Sequence, residues 1–264
     1  MTGLKNGSRR WLLPLGLVAI ASLSSAAFPS QASQASQPND VPVPGDRPLR
    51  VAHAPAGRRQ AIIYLHGMCG DEKGADAWAD VATRHGTLIT LRADVPCGDR
   101  PGFKWPKEPE AIQTRLERAL AIVRDLRGGE LDDQAPILIG YSQGAHRAEK
   151  LAGAYPHRYR LLALGGPPTA ASPDRLRHAD RVAILGGELE DTSHMLEGYL
   201  DLSSSGIDTE FFTLPRAGHG GYGPEGRRVM TEVFSYLLAP RAHAARPSSR
   251  ASGTSRRQIT ASMK

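Results

Sequence analysis

The chain has 264 residues, 40% hydrophobic and 23% charged, a composition that supports a buried core and excludes collagen-like, wholly disordered and polytopic membrane proteins. Its formal net charge of +6 suggests nucleic acid only until it is divided by position. Nine of the 33 basic side chains lie in residues 1–30 and 241–264, where there is no acid, so residues 31–240 hold 24 basic against 27 acidic side chains. The basic character belongs to the two ends, and no nucleic-acid partner is expected.

In chain order, Lys5, Arg9 and Arg10 precede an apolar run from Trp11 to Leu23, and Ser24-Ser25-Ala26 offers small residues for cleavage. Residues 1–26 therefore read as an export signal, and the run is too short to give a stable membrane span. Paired Arg9-Arg10 also fits a twin-arginine signal, so export to a periplasmic or extracellular compartment proceeds by general secretion or by that route. Residues 27–48, rich in Gln, Ser, Ala and Pro, read as a flexible leader. Residues 240–264, rich in Ser, Arg and Ala, read as a disordered basic tail. Between them, 49–239 forms one domain of ordinary size. The two cysteines, Cys69 and Cys97, form an even set in an exported chain and are expected to pair.

Within that domain short, nearly unbroken apolar runs alternate with amphipathic stretches. Strands are predicted at Ala61 to Leu65, Thr87 to Leu91, Ile137 to Gly140, Leu161 to Leu164, Val182 to Leu185 and Glu210 to Leu214. Helices are predicted at Ala75 to His85, Pro109 to Leu126, Gln143 to Ala154, Thr192 to Leu202 and Glu225 to Leu238. The alternation implies an α/β fold with a doubly wound, mostly parallel sheet and helices on both faces, whose chemistry belongs in the loops at the carboxyl ends of the strands. The connection from Gly165 to Arg181 is too short for a large cap domain.

The loop after Ile137 to Gly140 reads Gly140-Tyr141-Ser142-Gln143-Gly144, between a strand and a helix. That setting suits a sharp turn that lifts a serine hydroxyl above the sheet and aims helix amides at it. A serine needs a base, and His219, in Ala217-Gly218-His219-Gly220-Gly221 after the last strand, is the candidate. The orienting acid should follow the preceding strand, in Gly186-Gly187-Glu188-Leu189-Glu190-Asp191. Spacing favours Glu190 and residue type favours Asp191; the balance falls to Asp191, with Glu190 the alternative and Glu188 a loop-surface charge. Backbone N–H groups of Gln143 and of Met68, in Leu65-His66-Gly67-Met68-Cys69-Gly70, are candidates to hold an oxyanion, with His66 a hydrogen-bonded structural residue. Met68, Tyr141, Phe103, Trp105 and Tyr222 sit in or near strand-exit loops and are candidates for an apolar substrate pocket, with ordinary packing the alternative for each. The chemistry requires no metal and no cofactor.

The order Ser142, Asp191 or Glu190, then His219, with His66-Gly67 upstream, resembles the α/β-hydrolase superfamily over residues 50–239. Within it the chain is most similar to small, capless predicted esterases of the dienelactone hydrolase and acyl-protein thioesterase kind. The resemblance implies an α/β-hydrolase fold and a serine hydrolase that cleaves a small-molecule carboxylic ester through an acyl-enzyme. A thioesterase, a cutinase-like esterase, a peptidase and a catalytically silent binding protein of the same fold remain the alternatives.

Overall fold

The computed structural model describes residues 37–240; the expected signal (1–26), residues 27–36 of the leader and residues 241–264 of the tail lie outside them. Eight strands form one sheet: β1 (Asn39–Val41), β2 (Leu49–Ala52), β3 (Gln60–Leu65), β4 (Gly86–Leu91), β7 (Asp132–Tyr141), β8 (Leu161–Gly165), β9 (Arg181–Gly187) and β10 (Thr209–Leu214). A separate two-stranded ribbon joins β5 (Val95–Pro96) to β6 (Phe103–Lys104). The order across the large sheet is β1-β2-β4-β3-β7-β8-β9-β10, with β1 and β2 antiparallel and every pair from β4 to β10 parallel.

Side chains alternate between the two faces of this sheet because a strand repeats every two residues. Ala61, Ile63, Leu65, Leu138, Val182 and Ile184 join one core, while Ile62, Tyr64, Ile137, Ile139, Ala183 and Leu185 join the other. The first core is covered by α2 (Pro109–Leu126), α3 (Gln143–Ala154), α4 (Pro173–Leu176) and α5 (Ser193–Ser204). In α2, Pro109 opens the first turn, and Ile112, Leu116, Ala119, Leu120 and Val123 recur at helical spacing, so one stripe faces the sheet. The second core is covered by α1 (Ala79–Ala82) and α6 (Gly226–Leu237), where Val229, Met230, Val233, Phe234 and Leu237 pack toward Trp78. Both faces are thus closed, as parallel strands require.

Four differences from the sequence expectation have local causes. The helix expected over Ala75 to His85 is a 3-10 segment, Glu72–Trp78, followed by the single turn of α1. Residues 39–41, expected in the leader, form β1, because backbone pairing to β2 needs no apolar period. Strand β7 starts five residues before Ile137, but Pro136 cannot donate to a ladder, and register with β3 shifts there between Gln60 and Ile62. Strand β9 runs two residues past Leu185, through Gly186 and Gly187. No helix among the described residues is long and apolar enough to cross a membrane, and the 166–180 connection holds only the one-turn α4.

Candidate active site

Ser142 joins β7 to α3 with φ +52° and ψ −118°, a left-handed conformation that a side-chain-bearing residue holds only where its surroundings enforce it. Here the surroundings are backbone. A Cβ on Gly140 would meet the Gly144 carbonyl oxygen at 2.3 Å, and one on Gly144 would meet the Leu65 carbonyl oxygen at 2.0 Å. Only glycines allow strand, turn and helix to approach so closely. The Ser142 N–H donates to the Gly165 carbonyl at 2.7 Å, tying the turn to β8.

His219 comes over the serine from the loop after β10. Its Nε2 lies 2.9 Å from Ser142 Oγ, and its Nδ1 lies 2.6 Å from Glu190 Oε2. Nδ1 therefore carries a proton donated to the carboxylate, leaving Nε2 free to accept from the hydroxyl. Tyr141 steadies this loop, since its hydroxyl accepts from the Gly220 N–H at 3.1 Å and lies 3.4 Å from the Gly221 carbonyl.

The acid beside His219 is Glu190 and not the favoured Asp191. Because β9 continues to Gly187, the chain turns immediately after it, with the Glu190 N–H donating to the Gly187 carbonyl at 3.2 Å. Glu190 is folded back under the imidazole, its other oxygen accepts from the Gly187 N–H at 2.7 Å, and its side chain is only 9% exposed. Asp191 points outward and accepts from the Ser193 N–H at 2.9 Å at the start of α5. That backbone hydrogen bond holds its carboxyl below the usual range. The longer glutamate spans the gap that a turn starting two residues later leaves. Glu188 is exposed, as expected, and accepts from the Arg216 N–H at 2.7 Å.

The loop after β3 lies against the serine: a Cβ on Gly67 would sit 3.3 Å from Ser142 Cβ. His66 is buried beneath the loop. Its Nε2 accepts from the Ala93 N–H at 3.0 Å and its Nδ1 lies 2.7 Å from the Gly67 carbonyl, so the neutral ring spans both partners. Burial lowers its pKa, in keeping with a structural role. Cys69 and Cys97 are bonded, with Cα atoms 5.7 Å apart, and the adjacent Gly70 pairs with Phe103. The loop carrying Met68 is held from both sides.

Two cavities meet at Ser142. One, of about 310 Å³, is lined by Tyr64, Gly67, Met68, Asp71, Tyr141, His219 and their neighbours. The other, of about 350 Å³, is lined by Met68, Lys107, Gln143, His146, Arg147, Lys150 and Pro168. Met68, 54% exposed, borders both. Of the four aromatic candidates for a pocket, Tyr141 lines a cavity and the other three line neither. Trp105 is buried; its indole N–H donates to the His66 carbonyl at 2.7 Å and its backbone N–H to Gln143 Oε1 at 2.9 Å. It braces the two candidate donor loops from behind. Phe103 carries the Arg47 guanidinium 3.9 Å above its ring. Tyr222 is buried against Trp78 and Tyr141. Tyr64, on β3, borders the first cavity as well, although it is buried in the core with Gly74 packed closely against its ring; its apolar strand context signals packing and gives no sign of the cavity.

No protein-family model matches the chain, and no curated protein matches it in sequence. Solved structures do. The esterase PE8 aligns over 71% of this chain and 97% of its own at 20% identity, with a TM-score of 0.54. A Bacillus cereus carboxylesterase aligns over 71% and 93% at 16% identity, with a TM-score of 0.52. TT1662 from Thermus thermophilus aligns over 77% and 98% at 20% identity, with a TM-score of 0.51. The parallel sheet order, the strand–turn–helix serine and this likeness agree: the chain has the α/β-hydrolase fold, with no cap domain among its described residues.

Proposed function

We propose that the protein is a serine hydrolase acting on small-molecule carboxylic esters, with Ser142 as nucleophile, His219 as base and Glu190 as orienting acid. The observation that carries this reading is the continuous hydrogen-bonded line from Ser142 Oγ through His219 to Glu190, at 2.9 and 2.6 Å. Ser142 attacks the ester carbonyl while Nε2 takes its proton, and Glu190 stabilises the imidazolium that forms. The Gln143 and Met68 N–H groups hold the developing oxyanion, each donor contributing on the order of 3 kcal/mol. His219 then protonates the departing alkoxide, and water cleaves the acyl-enzyme by the same steps. The esterases among the solved structures of like fold support this class of reaction. The Cys69–Cys97 bond supports a working place outside the reducing cytoplasm.

A fluorophosphonate probe tests the nucleophile. Intact-mass analysis should show one adduct on the wild type and none on Ser142→Ala, in parallel with loss of p-nitrophenyl ester hydrolysis. An adduct that persists in Ser142→Ala would remove the assignment.

A further inference from the structure

The second cavity beside Ser142 has an unusual wall. Gln143, His146, Arg147 and Lys150 occupy positions i, i+3, i+4 and i+7 of α3, so they share one face of the helix that begins at the serine. Lys107 lines the same cavity, and among the described residues no carboxylate lines it. Arg147 is only 7% exposed, yet its Nε is buried without a hydrogen-bond partner. Among the described residues no hydrogen bond or ion pair engages its guanidinium, and Glu108 is the one acid close enough to favour its charge. A buried guanidinium is ordinarily fully paired, because desolvation without an acceptor is costly. His146 repeats the pattern, with its Nδ1 buried and unpartnered.

The two cavities also differ in their relation to the base. A leaving group must receive its proton from His219 Nε2, and His219 lines the first cavity but not the second. The acyl half of the substrate then occupies the second cavity, with Met68 and Pro168 supplying apolar contact.

Resting on the serine-hydrolase reading above, we infer that the Arg147–Lys150–Lys107 cavity binds an anionic group carried at the far end of the substrate's acyl chain, so that the preferred substrates are esters of acids bearing a second negative charge. At 1.5 Å rise per residue, Arg147 and Lys150 lie about 6 and 10 Å along the helix from Gln143, which an acyl chain of roughly five or six carbons spans. Hydrolysis adds water across the ester bond, releasing a free alcohol and a dianionic acid.

The purified protein should be compared on p-nitrophenyl pentanoate, p-nitrophenyl hydrogen glutarate and the matching ester of 4-phosphonobutyrate, at low and high salt. The expected result is a kcat/KM at least tenfold higher for an anionic ester than for the neutral one, shrinking with salt; the better of the two anionic esters identifies carboxylate or phosphonate as the preferred group. Arg147→Met should cut that ratio at least fivefold. Lys150→Ala, on a partly exposed side chain, should reduce it in the same direction and keeps the test open if Arg147→Met does not fold. Equal or faster hydrolysis of the neutral ester by the wild type overturns the anion site while leaving the nucleophile in place. If no ester is turned over and the fluorophosphonate leaves Ser142 unmodified, the underlying hydrolase reading has failed and the inference falls with it.

Discussion

At the scale of single residues, the decisive contrast is between two neighbouring carboxylates with opposite environments. Glu190 is nearly buried and bonded to both the Gly187 N–H and His219, whereas Asp191 faces solvent and serves the start of α5. Only an acid in contact with Nδ1 selects the imidazole tautomer that leaves Nε2 able to accept a proton. Glu190→Gln should therefore lower kcat on a p-nitrophenyl ester by about a thousandfold or more. Asp191→Asn should change kcat by less than about threefold and lower Tm slightly through the weakened helix start. Steady-state kinetics on the two variants separates them, and a larger kcat loss in Asp191→Asn would reassign the acid.

At the scale of elements, the site depends on two loops and one turn held at close quarters. The Cys69–Cys97 bond closes a stretch of 28 residues around the loop that carries Met68. In the chain-entropy account a bond of this span stabilises the fold by roughly 3 to 4 kcal/mol. The Cys69→Ser/Cys97→Ser double variant should lose about that much in urea unfolding and should also lose kcat, because the Met68 N–H is then less firmly placed. Fluorophosphonate labelling of Ser142 should persist, since the elbow has its own anchors in Gly165 and Gly144. Unchanged kcat in a destabilised double variant would confine the bond to stability. In Gly144→Ala the new methyl meets the Leu65 carbonyl, a rigid backbone atom, so the elbow must shift. Such overpacking costs about 1 to 3 kcal/mol or more. Thermal denaturation should register that loss, and a Tm equal to the wild type would show that the elbow has slack.

For the whole molecule, burial ties stability to pH. His53, His66, His85 and His146 are all held below the ordinary imidazole value of 6.5, in each case chiefly because burial disfavours the charged ring. The unfolded chain binds protons that these folded rings refuse. Their contribution is therefore complete above about pH 6.5 and declines as pH falls through that value toward the lower folded values. Burial pushes Asp46 and Glu72 upward, but hydrogen-bonded pairing with Arg115 and Arg92 outweighs it and leaves both below their ordinary values. Their contribution is present above the ordinary carboxylate range and is lost as pH falls below it. Both effects have the same sign, so urea midpoints should fall from pH 7.5 to pH 5 and fall more steeply below pH 4. In His66→Gln the first decline should be shallower. A midpoint that stays level between pH 7.5 and pH 5 would contradict the burial of these rings.

The sequence alone determined the alternation of strands and helices, the fold class, the elbow serine, the histidine after the last strand and the cysteine pair. Each is a local matter: apolar runs dictate parallel strands, helical spacing dictates a stripe, and two glycines around a serine are needed wherever a strand turns sharply into a helix. The three-dimensional structure alone decided which carboxylate meets His219, because that depends on where β9 ends, and Gly186-Gly187 has no side chain to mark a boundary. It also decided that Trp105 and Tyr222 lie behind the site while the equally buried Tyr64 borders its first cavity, since an aromatic ring has the same composition in a core as beside a pocket. The cationic wall of α3 was hidden for a related reason. Arg147 and Lys150 fall within the predicted helix Gln143 to Ala154, and only the packing of Lys107 and the Met68 loop against that helix makes them part of the lining of a cavity beside Ser142.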